Sequence, residues 1–337
     1  MKVLLTGGMG YIGSHTAVEL LNANIDVVIV DDLSNSEIDV KDKIEKTTGK
    51  KVSFYCANIA DSTAFEQVFL NEANIDAVIH FAAFKAVGES VAQPLKYYSN
   101  NLGATLTLLA LMNKYKVNNL VFSSSATVYG TPKVVPLTEE SPIGTCSNPY
   151  GWTKLMSEQM IKDYCVANPS FHAVFLRYFN PIGAHKSGLI GEHPRGIPNN
   201  IMPLINRVAS CLDKELKVYG GDYPTRDGTG IRDYIHVVDL ALGHVAAIDY
   251  CTKHSGIEIF NLGTGRGYSV LELIKSFEEV NGITIPYQIV ERRPGDVAIS
   301  YADVSKAKKV LGWHAKYELA DMVADAWNFQ KTINEVK

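Results

Sequence analysis

The chain has 337 residues, of which 46% are hydrophobic and 20% are charged, and its formal net charge is -4. This composition is typical of a globular protein with a substantial core, and the length allows two domains or one domain with a smaller lobe. The acidic balance and the lack of a long lysine and arginine block argue against a nucleic-acid partner and a polybasic membrane surface. Any phosphate group is therefore expected to be recognised by a few placed side chains.

The cysteines and the N-terminus bear on cellular compartment. The five cysteines are scattered, none belongs to a C-x-x-C pair, and no cluster with histidine has the spacing of a zinc site. The chain enters a strand pattern at once, without the long apolar stretch of a signal peptide, and no apolar run approaches the ~18 residues of a membrane helix. We therefore expect reduced thiols, no metal, no membrane segment and a cytoplasmic location.

Short apolar, β-branched runs alternate with helical stretches through the first part of the chain. The predicted strands are at 2–6, 27–30, 52–56, 77–81, 120–124 and 173–178. The helices predicted most clearly there are at 14–21, 100–115 and 149–167. This alternation predicts an α/β fold with a doubly wound parallel sheet of the Rossmann type.

The composition changes after Asn180, where Gly, Pro and Asn become frequent. Further along, helices are predicted near 200–211, 237–250, 270–280, 304–311 and 318–333, and a strand near 257–262. We predict that residues 1–180, with a return segment at about 237–264, form a dinucleotide-binding domain. Residues 181–337, mainly 181–236 and 265–337, are predicted to form a smaller mixed α/β substrate domain.

The segment TGGMGYIG at residues 6–13 places Gly7, Gly10 and Gly13 in a G-x-x-G-x-x-G pattern between a strand and a helix. Glycines at such a turn allow close approach of a pyrophosphate, and the helix N-terminus offers free N–H groups to it. The second predicted strand ends at Asp31, about 20 residues further on, where a carboxylate can accept hydrogen bonds from ribose hydroxyls. Asp31 and Asp32 would repel a 2′-phosphate and no arginine lies nearby in the sequence, so the pattern predicts NAD rather than NADP.

The segment NPYGWTKLMSEQM at residues 148–160 sets Tyr150 and Lys154 on one face of a predicted helix. A Y-x-x-x-K pair alone is expected about once by chance in such a chain, so its context decides. A neighbouring ammonium and a positively charged nicotinamide would pull the tyrosine pKa from about 10 toward neutrality. Tyr150 could then take a hydroxyl proton while hydride leaves the same carbon. Ser125, at the C-terminal end of a predicted strand, is a candidate to hydrogen-bond both groups, although a serine alone more often serves a turn.

These motifs, in this order, resemble the extended short-chain dehydrogenase/reductase family. More narrowly, the chain resembles the UDP-glucose (UDP-galactose) 4-epimerase family in TGGMGYIGSHT, HFAAFKAVGESV, FSSSATVYG, YGWTK, LRYFNPIGAH, GIPNN, GTGIRDYIHV and NLGTG. The resemblance extends to about residue 330. It implies that the substrate is a UDP-hexose and that NAD is the cofactor. The implied reaction is the reversible 4-epimerisation of UDP-glucose and UDP-galactose through a 4-keto intermediate.

The resemblance also implies residue roles. Tyr150 would be the acid/base group, Lys154 its electrostatic partner and Ser125 the hydroxyl clamp. The cofactor site would comprise these three residues with Gly7, Gly10, Tyr11, Ile12, Gly13, Asp31, Asn35, Ser36, Asn58, Ile59, Phe81, Ala82, Lys85, Asn100 and the backbone of Tyr178 and Phe179. The UDP-sugar site would comprise Lys85, Ser125, Tyr150, Asn180, Asn200, Ile201, Lys217, Val218, Tyr219, Arg232, Arg293 and Ser300.

The chemistry of three of these positions can be stated from the side chains themselves. Arg232 and Arg293 suit a pyrophosphate, because guanidinium groups bind such oxygens bidentately. Asn58 stands where the family usually has an aspartate that receives the adenine amino group. An asparagine carbonyl can still accept that hydrogen bond.

Ser300, within ERRPGDVAISYADVSKA at residues 291–307, bears on the size of the sugar. In family members restricted to glucose and galactose, a bulky tyrosine stands at the corresponding position. A small residue would leave space beside sugar carbon 2, so we expect conversion of UDP-N-acetylglucosamine and UDP-N-acetylgalactosamine as well. Tyr301 is adjacent, and a shift of one residue would return a tyrosine to the pocket.

Two other classes of function remain open: another sugar-nucleotide-modifying enzyme of this fold, and a non-catalytic protein. A sugar-nucleotide 4,6-dehydratase shares the fold, NAD and the Tyr–Lys pair, but that subgroup resembles T-D-E where this chain has Ser125, Ala126 and Thr127. A decarboxylase-like pattern carries a glutamate at the last of these positions. A non-enzymatic NAD-sensing protein of the same fold would typically have lost Tyr150 or Lys154.

Related enzymes pair two helices per subunit into a four-helix bundle, here 100–115 and 149–167. The first of these helices is apolar around most of its circumference, as a helix buried on two sides should be. Its apolar residues are Leu102, Leu106, Leu108, Leu109, Leu111 and Met112. The sequence therefore predicts a homodimer through these two helices.

Overall fold

The computed structural model describes residues 1–196, 198–293 and 295–335. Ile197 of the GIPNN motif, Pro294 of the RRPGD motif and residues 336–337 of the predicted substrate domain lie outside this part of the chain.

Strands and helices alternate through the first part of the chain. The elements are β1 Lys2–Thr6, α1 Tyr11–Asn22, β2 Asp26–Asp31, α2 Asp39–Thr48, β3 Ser53–Cys56, α3 Ser62–Asn71, β4 Ala77–His80, α4 Val87–Ala92, α5 Pro94–Tyr115, β5 Asn119–Ser125, α6 Pro149–Ala167 and β6 His172–Tyr178. A 3₁₀ turn, Ala126–Tyr129, follows β5. Helix α5 begins earlier than the predicted residue 100, because Pro94 is well suited to a first helical turn.

The second part of the chain has shorter strands. Its elements are β7 Asn180–Ile182, α7 Ile201–Ala209, β8 Leu216–Tyr219, β9 Ile231–Arg232, β10 Tyr234–His236, α8 Val237–Lys253, β11 Ile257–Leu262, β12 Tyr268–Ser269, α9 Val270–Asn281, β13 Tyr287–Val290, β14 Ile299–Ser300 and α10 Leu319–Glu335. A π-helical turn, Ala307–Leu311, occupies most of the helix predicted at 304–311. The sequence did not predict β7 to β10 or β12 to β14, because strands of two to four residues are too short to show a period.

The main sheet has seven strands in the order β11-β6-β5-β4-β1-β2-β3, and every neighbouring pair is parallel. Successive side chains of β1 face opposite sides, so Leu4 and Leu5 enter two different cores. One core includes residues of α1 and α8, and the other includes residues of α3, α5 and α6. The predicted doubly wound parallel sheet is confirmed.

A third core lies between α7, α9, α10 and strands β8 and β10, with Ile205, Phe277 and Met322 fully buried. Parallel β8 and β13 form one small sheet, and β12, β9 and β14 form another. After α8, strand β11 returns to the main sheet beside β6. None of the described helices is both long enough and apolar enough to span a bilayer.

The strand order fixes where a ligand can bind. From β1 the sheet continues to β2 on one side and to β4 on the other, so β1 and β4 flank a topological switch point. Loops leaving the carboxyl ends of such strands diverge and leave a crevice between them. The glycine-rich loop after β1 lies in this crevice.

Candidate active site

A cavity of about 1980 Å³ lies at the carboxyl edge of the main sheet. Loops after β1, β2 and β4 form one wall, and residues of the second part of the chain form the other. Small-molecule sites usually measure ~300–1,000 Å³. The cavity therefore has room for two ligands lying side by side.

The glycine-rich loop is shaped by close backbone contacts. Gly7 adopts φ of +69°, and a Cβ there would lie 2.8 Å from the backbone nitrogen of Ala82. A Cβ on Gly13 would lie 2.5 Å from the carbonyl oxygen of Gly7. Gly10 precedes α1 and no side chain caps that helix. The free N–H groups and the glycine cradle suit a dinucleotide pyrophosphate.

Asp31, at the end of β2, is held in place by three donors. One carboxylate oxygen accepts the Met9 N–H at 3.0 Å, and the other accepts the Leu33 N–H and the Ser36 hydroxyl, each at 2.9 Å. Burial raises the pKa of this carboxyl group, while the hydrogen bonds from these donors lower it. The result is an oriented acceptor at the cavity wall beside Asn35 and Ser36, as ribose hydroxyls require.

One cation near this end of the cavity was missed by sequence reasoning. The Arg195 N–H donates to Asn35 Oδ1 at 3.2 Å, and its guanidinium makes two hydrogen bonds to Glu37 at 2.9 and 3.0 Å. Proximity in the sequence could not reveal this cation, because Arg195 and Asn35 are 160 residues apart. Since Glu37 neutralises Arg195, the surroundings of Asp31 remain acidic.

Asn58 is partly committed to its own loop. Its Nδ2 donates to Asp32 at 3.1 Å, and its Oδ1 accepts the Ala60 N–H at 2.8 Å. A carbonyl oxygen has two lone pairs, so one remains for a further donor.

Helix α6 brings Tyr150 and Lys154 to the cavity wall. Asn148 caps the helix by accepting the Gly151 N–H at 2.9 Å, which fixes Tyr150 in the first turn. Tyr150 hydrogen-bonds with Ser125, whose Oγ also accepts the Thr127 N–H at 3.2 Å. Tyr150 and Ser125 are thus in contact, and Lys154 follows one turn later on α6.

The Lys154 ammonium is directed at the main chain. It donates to the Ser123 carbonyl at 2.6 Å and lies 5.1 Å from the centre of the Phe122 ring. Burial lowers the pKa of Lys154 to about 7, and the charge of Glu158 opposes that shift. The Lys154 ammonium is therefore held by the main chain rather than free to rotate.

The expected lowering of the tyrosine pKa depends on both the ammonium and a bound nicotinamide, and in the protein by itself the pKa of Tyr150 is raised instead. Burial raises the pKa of Tyr150 to about 12, and the hydrogen bond with Ser125 opposes this only in part. Desolvation is the largest cause of this shift, and the Lys154 ammonium is directed at the Ser123 carbonyl instead. A phenolate at Tyr150 therefore requires additional positive charge, which an oxidised nicotinamide carries.

A buried Tyr178–His244 pair forms the floor beneath these groups, and sequence reasoning did not single out His244. His244 Nδ1 contacts the Leu240 carbonyl at 2.8 Å, so Nδ1 carries the ring proton and Nε2 accepts a hydrogen bond from the Tyr178 hydroxyl. Burial lowers the pKa of His244 to about 3. The Phe81 ring packs against His244 with centres 4.8 Å apart. The His244 ring is therefore neutral at physiological pH, and its hydrogen bonds hold it and Tyr178 in fixed positions.

At the other end of the cavity, charged groups are held in pairs. Arg293 Nε lies 3.0 Å from Asp296, and Arg232 approaches the second oxygen of that carboxylate at 3.8 Å. Lys85 and Asn200 both donate to Oε1 of Glu192, at 3.1 and 2.6 Å. The sequence prediction missed Asp296 and Glu192; the only signal for Asp296 was its place in the RRPGD motif.

Most predicted ligand residues line this cavity, and six do not. The lining residues are Gly7, Gly10, Tyr11, Ile12, Gly13, Asp31, Asn35, Ser36, Asn58, Ile59, Phe81, Ala82, Lys85, Asn100, Tyr150, Lys154, Tyr178, Asn180, Asn200, Lys217, Tyr219 and Arg293. The six outside the lining are Ser125, Phe179, Ile201, Val218, Arg232 and Ser300. Among them, Val218 is buried in the third core between Lys217 and Tyr219, as alternation along β8 requires.

Ser300 and Tyr301 face opposite ways. A Cβ on Gly267 would lie 3.4 Å from the Tyr301 ring, so that ring is packed against Gly267. Ala302 belongs to the buried cluster that contains Phe179. Side chains alternate along an extended chain, so Ser300 shares the side of Ala302 and Phe179.

Within the described residues, no group of three or more His, Cys, Asp or Glu side chains is placed to hold a metal ion. All five cysteines are free thiols.

Comparison with known proteins agrees with this geometry. A family model described as GDP-mannose 4,6 dehydratase matches residues 4–326. The UDP-glucose 4-epimerase of Bacillus subtilis (strain 168) is 54% identical over 332 residues, which are 98% of this chain and 97% of the relative. The solved UDP-glucose 4-epimerase from Bifidobacterium longum in complex with NAD⁺ and UDP is similar with a TM-score of 0.96, 55% identity and 98% coverage of each chain.

A second solved structure, UDP-glucose-4-epimerase from Stenotrophomonas maltophila with bound NAD and formylated UDP-arabinopyranose, is similar with a TM-score of 0.96, 48% identity and 100% coverage of both chains. Identity of this extent over the full length, together with the Tyr150–Lys154 arrangement, shows that the chain belongs to the UDP-glucose 4-epimerase family of the extended short-chain dehydrogenases/reductases.

Proposed function

We propose that the protein catalyses reversible, NAD-dependent 4-epimerisation of UDP-glucose and UDP-galactose. The observation that carries this proposal is that Tyr150, hydrogen-bonded with Ser125, lies with Lys154 at the wall of a cavity with room for a dinucleotide and a nucleotide sugar. The glycine cradle and Asp31 suit NAD at one end. When bound there, NAD supplies the acceptance and return of one hydride at sugar carbon 4.

Tyr150 acts as the acid/base group. Its phenolate takes the proton from the hydroxyl on carbon 4 while the hydride leaves that carbon, which gives a 4-keto sugar. After the keto sugar has turned in the cavity, Tyr150 would give the proton back to the oxygen on carbon 4. Lys154, fixed by the Ser123 carbonyl, stabilises the phenolate, and Ser125 orients the sugar hydroxyl.

The uridine diphosphate part of the substrate binds at the far end of the cavity. Arg293 lines this end of the cavity and provides planar donors for the phosphates, while Arg232, outside the lining, approaches the same Asp296 carboxylate. Tyr219 offers an aromatic face under the Arg293 guanidinium, 4.8 Å from its ring centre. Anchoring at this end leaves the sugar ring free to turn beside Tyr150.

The direct test is proton NMR on purified protein with UDP-galactose, first without added cofactor and then with NAD. We expect UDP-glucose to form, and the Tyr150→Phe variant to be slower by a factor of about 10²–10⁴. Formation of a 4-keto-6-deoxy sugar would favour the dehydratase alternative. Absence of any sugar change in both tubes would contradict an epimerase.

We further propose that UDP-N-acetylglucosamine and UDP-N-acetylgalactosamine are substrates. The support is the small side chain of Ser300 on the side of Phe179, with the bulky Tyr301 packed against Gly267. Ser300→Tyr should overfill the space beside sugar carbon 2 and slow the N-acetyl reaction by a factor of about 5–150, while conversion of UDP-galactose stays close to normal. Ser300→Ala, which stays small, is the matched control. If Ser300→Tyr converts the UDP-N-acetylhexosamines at the wild-type rate, this proposal is wrong.

We also propose a homodimer through α5 and α6. Leu108 and Met112 of α5 are buried in the protein's own core, whereas Leu106 is 59% exposed and Val166 of α6 is 82% exposed. Leu106→Glu should convert the dimer to a monomer in light-scattering measurements of molar mass. Leu212, which is 58% exposed outside these helices, gives the control Leu212→Glu. A monomeric wild type would contradict the proposal.

A further inference from the structure

Residues 191–196, called the strap below, lie across the cavity from the loop that follows β2. His193, Pro194 and Arg195 line the same cavity as Asn35 and Glu37. The strap comes from the second part of the chain and meets a loop of the main sheet. A ligand between the Asp31 loop and the strap is thus bounded by both.

The strap is fixed firmly at its beginning. Gly191 forms an isolated β-bridge with Ala184, and Glu192, whose side chain is 8% exposed, pairs with Lys85 at 3.1 Å. Asn200, beyond the strap, donates to the same Glu192 oxygen at 2.6 Å. This end is therefore part of the cavity wall.

The other end depends on the Glu37–Arg195 ion pair. The guanidinium and the carboxylate meet through two hydrogen bonds at 2.9 and 3.0 Å, and the Arg195 N–H adds a third bond to Asn35 at 3.2 Å. The two side chains are 49% and 50% exposed. An ion pair of this kind is weak and sensitive to salt, so it can break without disturbing a buried core.

The surroundings of Glu37 favour this closed arrangement. Arg195, His193 and Lys43 all lie close enough to lower the pKa of the Glu37 carboxyl group, with the Arg195 hydrogen bond as the largest cause. Gly196, directly after the arginine, adopts φ of +76°, a left-handed conformation that glycine reaches without strain. The strap thus ends at a glycine, whose backbone can adopt a wider range of φ and ψ angles than other residues.

We propose that Glu37 and Arg195 are positioning residues that latch the strap over the adenosine half of the cofactor and so set how fast NAD leaves the protein. This inference rests on the proposed function, in which the crevice beside Asp31 holds NAD. The carboxylate of Glu37 acts through Arg195 and touches no reacting atom. Breaking the pair speeds dissociation of the cofactor without altering the Tyr150 group.

The test follows release of radiolabelled NAD from the loaded protein after dilution into excess unlabelled NAD, with rapid gel filtration at intervals. We expect Glu37→Gln and Arg195→Gln each to speed release by about two- to fivefold, the range for a half-exposed ion pair. The charge-swapped variant Glu37→Arg/Arg195→Glu should return release to within about twofold of wild type. Raising NaCl from low to high concentration should speed release from wild type and leave the single variants almost unchanged.

Glu318→Gln is the matched control, since it breaks an exposed Arg266–Glu318 pair that does not line the cavity. Release at the wild-type rate from both single variants overturns the latch, as does equal acceleration by the control. Failure of wild type to bind any NAD overturns the proposed function instead, and the inference falls with it.

Discussion

The buried ion pair behind α6 gives the sharpest prediction about how the active-site helix is held. Glu158, one turn beyond Lys154, is fully buried and receives two hydrogen bonds from Arg177 of β6, at 3.0 and 2.8 Å. It also accepts the Ser124 hydroxyl at 2.6 Å. Arg177 in turn donates to the Tyr129 hydroxyl at 3.1 Å. One carboxylate therefore joins α6, β5 and β6.

Glu158→Gln removes the charge and keeps the shape. Arg177 is 1% exposed, so its cation would be left buried without a counterion. Breaking a buried pair in this way costs about 3–5 kcal/mol of unfolding free energy. For a chain of 337 residues each kcal/mol corresponds to roughly 1.4 °C, so Tm should fall by about 4–7 °C.

The same substitution should change the pH dependence of the reaction. Burial lowers the pKa of Lys154 to about 7, and the Glu158 charge opposes that shift, so its removal should lower the pKa further. Lys154 then loses its proton at a lower pH, and the alkaline limb of kcat/KM should move toward acid. A Gln variant with an unmoved alkaline limb would show that Glu158 does not act on Lys154.

The assay is scanning calorimetry of wild type, Glu158→Gln and the double variant Glu158→Leu/Arg177→Met. Because the double variant leaves no charge unpaired, it should recover at least half of the lost Tm. A Tm for Glu158→Gln within about 1 °C of wild type would show that the ion pair does not stabilise the fold as argued. A loss of several kcal/mol of unfolding free energy would lower Tm by more than that.

Three further predictions concern the cofactor end and acid stability. Gly13→Ala should abolish NAD binding measured by calorimetric titration, because its Cβ would lie 2.5 Å from a main-chain oxygen; normal affinity would contradict the cradle. Asp31→Ala should weaken NAD binding by about tenfold or more, since it removes a charged acceptor for ribose hydroxyls. An unchanged Kd would show that Asp31 does not bind the ribose. Burial lowers the pKa of His15, His80 and His244 to about 3 from 6.5, so the unfolded chain binds more protons between these values. Stability should therefore fall as the pH drops below 6.5, by ~1.4 kcal/mol per pH unit for each histidine, and equal urea midpoints at pH 7 and pH 5 would contradict this.

Local patterns in the sequence predicted those parts of the site that are formed by residues close together in the chain. The glycines at 7, 10 and 13 are close together because one turn contains them, and Tyr150 and Lys154 share a face because a helix places every fourth residue there. The parallel sheet followed from buried strands separated by helices. These features need only short-range geometry.

Other parts depend on contacts that no local pattern reveals. Arg195 reaches Asn35 across 160 residues, and His244 lies under Tyr178 because α8 packs beneath the main sheet. The direction of the Lys154 ammonium, toward the Ser123 carbonyl, also follows from tertiary packing. The raised pKa of Tyr150 in the protein by itself has the same origin, since desolvation is a property of the folded cavity.

The most direct test of the central claim is the fate of hydrogen at sugar carbon 4. UDP-galactose deuterated at that carbon is incubated with the holoenzyme in ordinary water, and the UDP-glucose product is examined by NMR and mass spectrometry. If hydride leaves and returns to the same carbon while Tyr150 handles only the hydroxyl proton, deuterium stays at carbon 4 in full. Replacement of that deuterium by solvent hydrogen would contradict the account.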